Sequence, residues 1–180
     1  NSFVRDEHAR RPVPGMAVLL ERTVRQYPGC PVIYLSTGAW NVQPTISRFL
    51  KRHLYPMGSL LLTDWGPTTD RIFRSGLDHK KENLERLAKD FPHVRWILIG
   101  DDGQHDEELY SNFAMNHPDQ VRAIAIRELL APEALLAGGR SHTNRTVNPE
   151  VTPWVSASNG AGLAVELARL GVLEWPAHSP

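Results

Sequence analysis

Cysteine occurs once in these 180 residues, at Cys30, so no internal disulfide and no cysteine-rich metal site can form. That suits a reducing compartment, and a cytoplasmic location is expected. Excess charge of either sign is missing too, because twenty Lys and Arg balance twenty Asp and Glu. No overall field points to nucleic acid or to an anionic membrane, so binding to either requires a local patch, and nucleic acid is not an expected partner. No apolar run approaches the ~20 residues that span a bilayer, so no transmembrane segment is expected. The opening residues, Asn1–Asp6, lack the apolar stretch of a secretory signal. They also lack an initiator methionine, which reads as a processed or trimmed start. Internal repeats and low-complexity tracts are absent. The length suits one α/β domain with a real core and is short for two, so a single domain over 1–180 is expected.

What is present alternates short apolar, β-branched runs with amphipathic segments, the pattern of βαβ units around a mostly parallel sheet. Pro14-Gly15 opens a helix through about Tyr27, with Met16, Leu19, Leu20 and Val24 on one face. Strands are expected at 31–36, 60–63, 94–99 and 121–126. Helices are expected with Pro44 early in the first and Ile46, Phe49, Leu50 and Leu54 on its apolar face, over 79–90, from near Asp106, and over 161–170. The polar loop 64–78, with Gly66-Pro67 and Ser75-Gly76, is longer than most connections in a compact domain and suggests a functional role. Residues 137–153, rich in Gly, Asn and Thr, read as a mobile excursion or linker.

Ligands of open parallel sheets bind outside the carboxyl ends of the strands. The candidates there are Ser36-Thr37-Gly38, Asp64-Trp65, and Gly100-Asp101-Asp102 with Asp106. Such residues also end strands and cap helices everywhere, and Asp106 suits an N-cap. Their concurrence on one edge favours a site. Asp101, at a strand end, is placed to ligate a hard cation such as Mg²⁺, which takes carboxylate and water oxygens. Asp102 reads equally well as a solvated loop charge. Lys80 falls at the expected start of a helix, where the macrodipole disfavours a cation, so it needs a compensating anion. Lys81 beside it is the natural decoy. Ser36 and the amides after it, Thr37 included, suit a phosphoryl oxygen.

Ser36, Lys80, Gly100-Asp101 and Asp106, in this order and on these elements, resemble motifs two to four of the haloacid dehalogenase superfamily. The stretch His8–Met16 resembles the opening of the catalytic domain of actin-patch-type phosphatidate phosphatases. So do Tyr34-Leu35-Ser36, Gly58-Ser59-Leu60, Asp64-Trp65, Ser75–Lys80 and Gly100–Asp106, over about 3–127. The resemblance implies a Rossmann-like three-layer core and Mg²⁺-dependent cleavage of phosphatidate to diacylglycerol and phosphate. It implies that Asp101 and Asp106 serve the metal, that Ser36, Thr37 and Lys80 bind phosphate, and that Asp106 orients Lys80 or a metal-bound water. Trp40, Trp65, Arg71 and His79 are candidate rim residues of the substrate site, with Phe73 and Arg74 nearby. Tryptophan suits a membrane interface, so peripheral membrane contact is an expectation, although tryptophans also pack under loops.

Two departures stand out. Asp102 occupies a place where the family has a small, serine-like residue, a change expected to alter only the loop. The Asp-x-Asp-Asp-Thr of the family's central first strand, whose aspartates attack phosphorus and protonate the leaving group, does not occur between Asn1 and Gly15. Without that strand two interior strands keep bare edges, which natural proteins seldom tolerate, so the expectation is an inactive fragment of a longer phosphatase. The alternatives are a phosphatidate-binding module that has lost its nucleophile and a phosphatase of the same superfamily acting on a soluble phosphomonoester. A receiver-type domain is a distant third, since the order of elements fits it poorly.

Overall fold

The computed structural model describes residues 11–63, 72–103, 105–137, 139 and 151–175. Among them, strands β1 (Ile33–Ala39), β2 (Ser59–Thr63), β3 (Trp96–Asp101), β4 (Val121–Arg127) and β5 (Trp154–Ala157) alternate with helices. These are α1 (Met16–Gln26), α2 (Gln43–Arg52), α3 (Ile72–Asp90), α4 (Asp106–Asn116), α5 (Ala131–Leu136) and α6 (Gly160–Arg169). Every ladder is parallel, so this is the expected open α/β fold.

Side-chain alternation along β4 builds the layers. Ala123 and Ala125 face Leu19 of α1 and Leu163 and Leu167 of α6, and their small size lets those helices approach closely. Ile124 and Ile126 face Leu84 of α3 and Leu109 and Phe113 of α4. Buried on both faces, β4 reads as a continuous apolar run, as central parallel strands do.

The strands form two groups, β1-β2 and β3-β4-β5. Leu35 of β1 packs against the core that contains Leu98 of β3, so β1 is the member of its pair nearer to β3. No ladder joins β1 to β3 among the described residues, and each pairs on one side only. Helix α3 packs on β1, β2 and α4, spanning the two groups on one face.

Several local expectations change. β1 continues past Ser36 to Ala39, so Ser36-Thr37-Gly38 are its last turns of pleat and not the loop beyond it. α3 begins at Ile72, seven residues before the expected start. Ser75-Gly76 looks like a breaker, yet a helical glycine is retained for a steric reason. A Cβ at Gly76 would stand 2.9 Å from Thr37 Cγ2 and 3.2 Å from Thr37 Cβ, so only glycine lets α3 lie this close to β1. Lys80 therefore sits in the third turn of α3, and the macrodipole argument for its anion does not apply. Asp106 is the first residue inside α4 and not its N-cap, a place taken by His105 in the left-handed region (φ 61°). α5 and the four-residue β5 had no legible signal, being too short to show a period.

Candidate active site

The carboxyl edge of β3 carries a compact charged cluster. Lys80 Nζ reaches across from α3 and donates to Asp106 Oδ1 at 2.6 Å, and both side chains are only 9% exposed. The second oxygen of Asp106 accepts the backbone N–H of Asp101 at 3.3 Å. The anion that Lys80 needs is thus supplied by the first turn of α4, for reasons of burial and not of helix dipole. Gly100 makes this packing possible. A Cβ there would lie 2.7 Å from Asp106 Oδ2, 2.8 Å from Asp106 Cβ and 2.8 Å from Tyr110 Cε2.

Asp101 ends β3 with its own carboxylate turned along the loop, where Oδ1 accepts the Gly103 N–H at 2.9 Å. Desolvation pushes its pKa above the usual carboxylate value and the neighbouring charge of Asp106 adds to the rise, while the Gly103 amide, Arg127 and Lys80 oppose it. Tyr110, one turn after Asp106 on α4, lies beneath the cluster and donates its hydroxyl to Ile99 O at 3.2 Å. Burial holds its phenol well above its ordinary pKa, with Asp106 and Asp101 contributing. Tyr110 is a floor residue that sequence reasoning missed, although its i, i+4 spacing from Asp106 places both on one helix face.

Asp102 is no solvated loop charge, as it is buried. Its N–H donates to Arg127 O at 3.1 Å and its Oδ1 accepts the Leu129 N–H at 2.8 Å, tying the β3–α4 loop to the end of β4. Arg127 itself donates to both oxygens of Glu133 at 3.1 and 3.2 Å.

The remaining candidates divide. Ser36 Oγ accepts the Gly38 N–H at 3.1 Å, which leaves the hydroxyl proton available but turns that amide away from an incoming anion. Thr37 meets α3 at Gly76, one turn before Lys80 on the same helix face, so the end of β1 stands beside the cluster. His79 is half-buried and its carbonyl accepts from Asn83 Nδ2 at 2.8 Å. Trp40 is 65% exposed in a 3-10 turn directly after β1. Asp64, Trp65, Arg71, the side chains of Phe73 and Arg74, and the His8–Arg10 part of the opening stretch lie outside the described residues.

For a hard cation the donors are few. Both oxygens of Asp106 are engaged, and among the described residues no three His, Cys, Asp or Glu side chains form a metal cage. Asp101, with one oxygen bonded to an amide, fits as one carboxylate ligand of an ion that keeps water and substrate oxygens, the habit of Mg²⁺.

Fold and cluster together define an open parallel α/β protein with a lysine–carboxylate site at the carboxyl edge of its sheet. Residues 1–128 match the sequence model of the family described as phosphatidate phosphatase APP1, catalytic domain, and the chain belongs to that family. It is 36% identical over 74 residues to the phosphatidate phosphatase APP1 of Saccharomyces cerevisiae, covering 41% of this chain and 13% of that protein. It is 25% identical over 101 residues to an uncharacterized protein of Schizosaccharomyces pombe, covering 56% of this chain and 17% of that protein. The chain thus spans less than a fifth of the length of either relative. No solved structure matches it. Among the described residues no helix is long and apolar enough to cross a membrane.

Proposed function

We propose that this chain is the greater part of the catalytic core of a Mg²⁺-dependent phosphatidate phosphatase that releases phosphate and leaves diacylglycerol. The observation that carries the reading is the buried Lys80–Asp106 pair beside Asp101, at the carboxyl end of a strand whose other edge has no partner among the described residues. A buried ion pair is weak evidence for stability, because desolvation offsets most of its attraction. Its retention beside an open strand position fits a binding site.

In this reading a strand from outside the described residues seats between β1 and β3 and brings the Asp-x-Asp that the haloacid dehalogenase resemblance implies. The first of its aspartates attacks phosphorus, the bond to the diacylglycerol oxygen breaks, and the second aspartate protonates that oxygen. Water then displaces phosphate from the aspartyl-phosphate. Asp101 would help hold Mg²⁺, which neutralises charge on the transferring phosphoryl group. Lys80 spends one of its three N–H donors on Asp106 and directs the others to phosphoryl oxygens. Asp106 keeps the ammonium in place through a 2.6 Å bond. Ser36 offers its hydroxyl to another phosphoryl oxygen. Trp40, exposed on the same edge, suits a peripheral bilayer contact near a lipid headgroup.

The test is phosphate release from dispersed phosphatidate by the complete protein, with and without Mg²⁺. The expected result is Mg²⁺-dependent release that falls by more than about 100-fold in Asp101→Asn, beyond what loss of a mere supporting residue costs. Binding to phosphatidate vesicles without release would make this a lipid-binding module. Equal turnover of a soluble phosphomonoester would sink the lipid specificity.

A further inference from the structure

The loop that presents Asp101 is held from an unexpected side. β3 and β4 pair in register up to Asp101 and Arg127. One step later the Asp102 N–H still reaches Arg127 O at 3.1 Å, the last backbone bond before the chain turns away at Gly103. There the Asp102 carboxylate takes over the role of a strand carbonyl and accepts the Leu129 N–H at 2.8 Å. The side chain thus prolongs the ladder past the point where the backbone leaves the sheet. Asp102 is 7% exposed, so water does not compete well for this bond.

The consequence passes to Asp101 through Gly103. A Cβ on Gly103 would stand 2.4 Å from Leu129 Cδ1, 3.0 Å from Ala137 Cβ and 3.1 Å from Asp101 Oδ1. Gly103 is therefore wedged between the segment that Asp102 captures and the carboxylate of Asp101, whose Oδ1 its amide holds at 2.9 Å. Leu129, Asp102, Gly103 and Asp101 form one chain of contacts.

We propose that Asp102 is a positioning residue for the Asp101 site: its bond to the Leu129 amide clamps the β3–α4 loop against the β4–α5 segment and aims the Asp101 carboxylate. This rests on the reading of Asp101 as a Mg²⁺ ligand. A positioning role changes affinity for the ion, whereas a merely structural one lowers the folded fraction and leaves the affinity of what remains folded unchanged. The test is Mg²⁺ binding to the complete protein by titration calorimetry, paired with the Mg²⁺ dependence of phosphate release from dispersed phosphatidate. Asp102→Ala, which deletes the acceptor, is expected to weaken Mg²⁺ binding about 10-fold or more, the usual scale for loss of an outer-shell partner. Asp102→Asn keeps an acceptor oxygen and is expected to stay within about 3-fold of wild type, well below that scale. Gly103→Ala, which presses on Leu129 and Asp101 from the other end, is expected to weaken binding as well and serves where Asp102→Ala fails to fold. Unchanged Mg²⁺ affinity in Asp102→Ala or, where that variant does not fold, in Gly103→Ala overturns the role of Asp102 while leaving the site reading intact. Wild-type protein that takes up no Mg²⁺ overturns the site reading and this role with it.

Discussion

Lys80 and Asp106 are both charged, both buried and 2.6 Å apart, a pairing whose removal separates stability from function. Lys80→Met alone strands a buried carboxylate and is expected to cost about 3–5 kcal/mol of stability. Adding Asp106→Asn removes that charge yet keeps an oxygen for the Asp101 amide, and should recover more than half of the loss. Chemical denaturation of the two variants checks this, and equal stabilities would show that the pair is not the buried charge couple described. Neither variant should release phosphate from phosphatidate, since the ammonium is gone from both. Gly100→Ala works through shape alone. Its methyl would meet Asp106 and Tyr110 at 2.7–2.8 Å, and α4 must shift to admit it. A stability loss of about 1–3 kcal/mol is expected from overpacking, together with a fall in phosphate release that exceeds the unfolded fraction.

Among the elements, α5 is fastened at its start by polar bonds. It is six residues long, and its start is fastened by Glu133, whose carboxylate accepts the Leu130 N–H at 3.0 Å and the Arg127 guanidinium. This is half of a capping box, because leucine at the N-cap has no oxygen to return the bond. The Leu130 amide first, and Arg127 with it, hold the Glu133 pKa below the usual value. A depressed folded pKa means that the stabilisation is complete above the unfolded value, near 4.3, and is lost as pH falls through the lower folded one. With 42% of the Glu133 side chain exposed, solvent screens the ionic part, and the whole is worth no more than about 1 kcal/mol. Glu133→Ala should lower Tm by a constant amount between pH 6 and 8, with the difference from wild type shrinking below about pH 4. A difference that persists undiminished in acid would remove the carboxylate from this role. α3 shows the opposite economy, since its glycine weakens the helix by up to about 1 kcal/mol and is kept for the approach to Thr37.

For the whole molecule the feature with the largest consequences is that β1 and β3 each pair on one side only among the described residues. Parallel strands with one unpaired edge seek a partner, and proteins rarely leave two such edges facing one core. In the proposed reading, a longer form of the protein that carries the Asp-x-Asp strand should bury both edges. Amides of β1 and β3 that have no partner in the two ladders described here are then expected to gain protection from hydrogen exchange, while those of β4 change little because they are already paired on both sides. Protection that rises nowhere in β1 or β3 would rule out a strand seated between them. The same experiment joins stability to function, because the proposed nucleophile rides on that strand.

The amino-acid sequence by itself determined the α/β class, the parallel strands and the strand-end polar residues, because buried β-branched runs and 3.6-residue periods are properties of neighbouring positions. It also made Asp101 and Lys80 visible as candidates, through the motif spacing that the family resemblance rests on. Only the tertiary structure decided that Lys80 lies in the third turn of α3, because the reason Gly76 stays helical is its distance from Thr37, a residue on another element. The family resemblance had already joined Asp106 to Lys80, but only the tertiary structure moved Asp106 from the helix cap into the first turn of α4, placed Tyr110 beneath the pair and buried Asp102 against Leu129. Each of these depends on contacts between residues far apart in the chain, and no local pattern carries them.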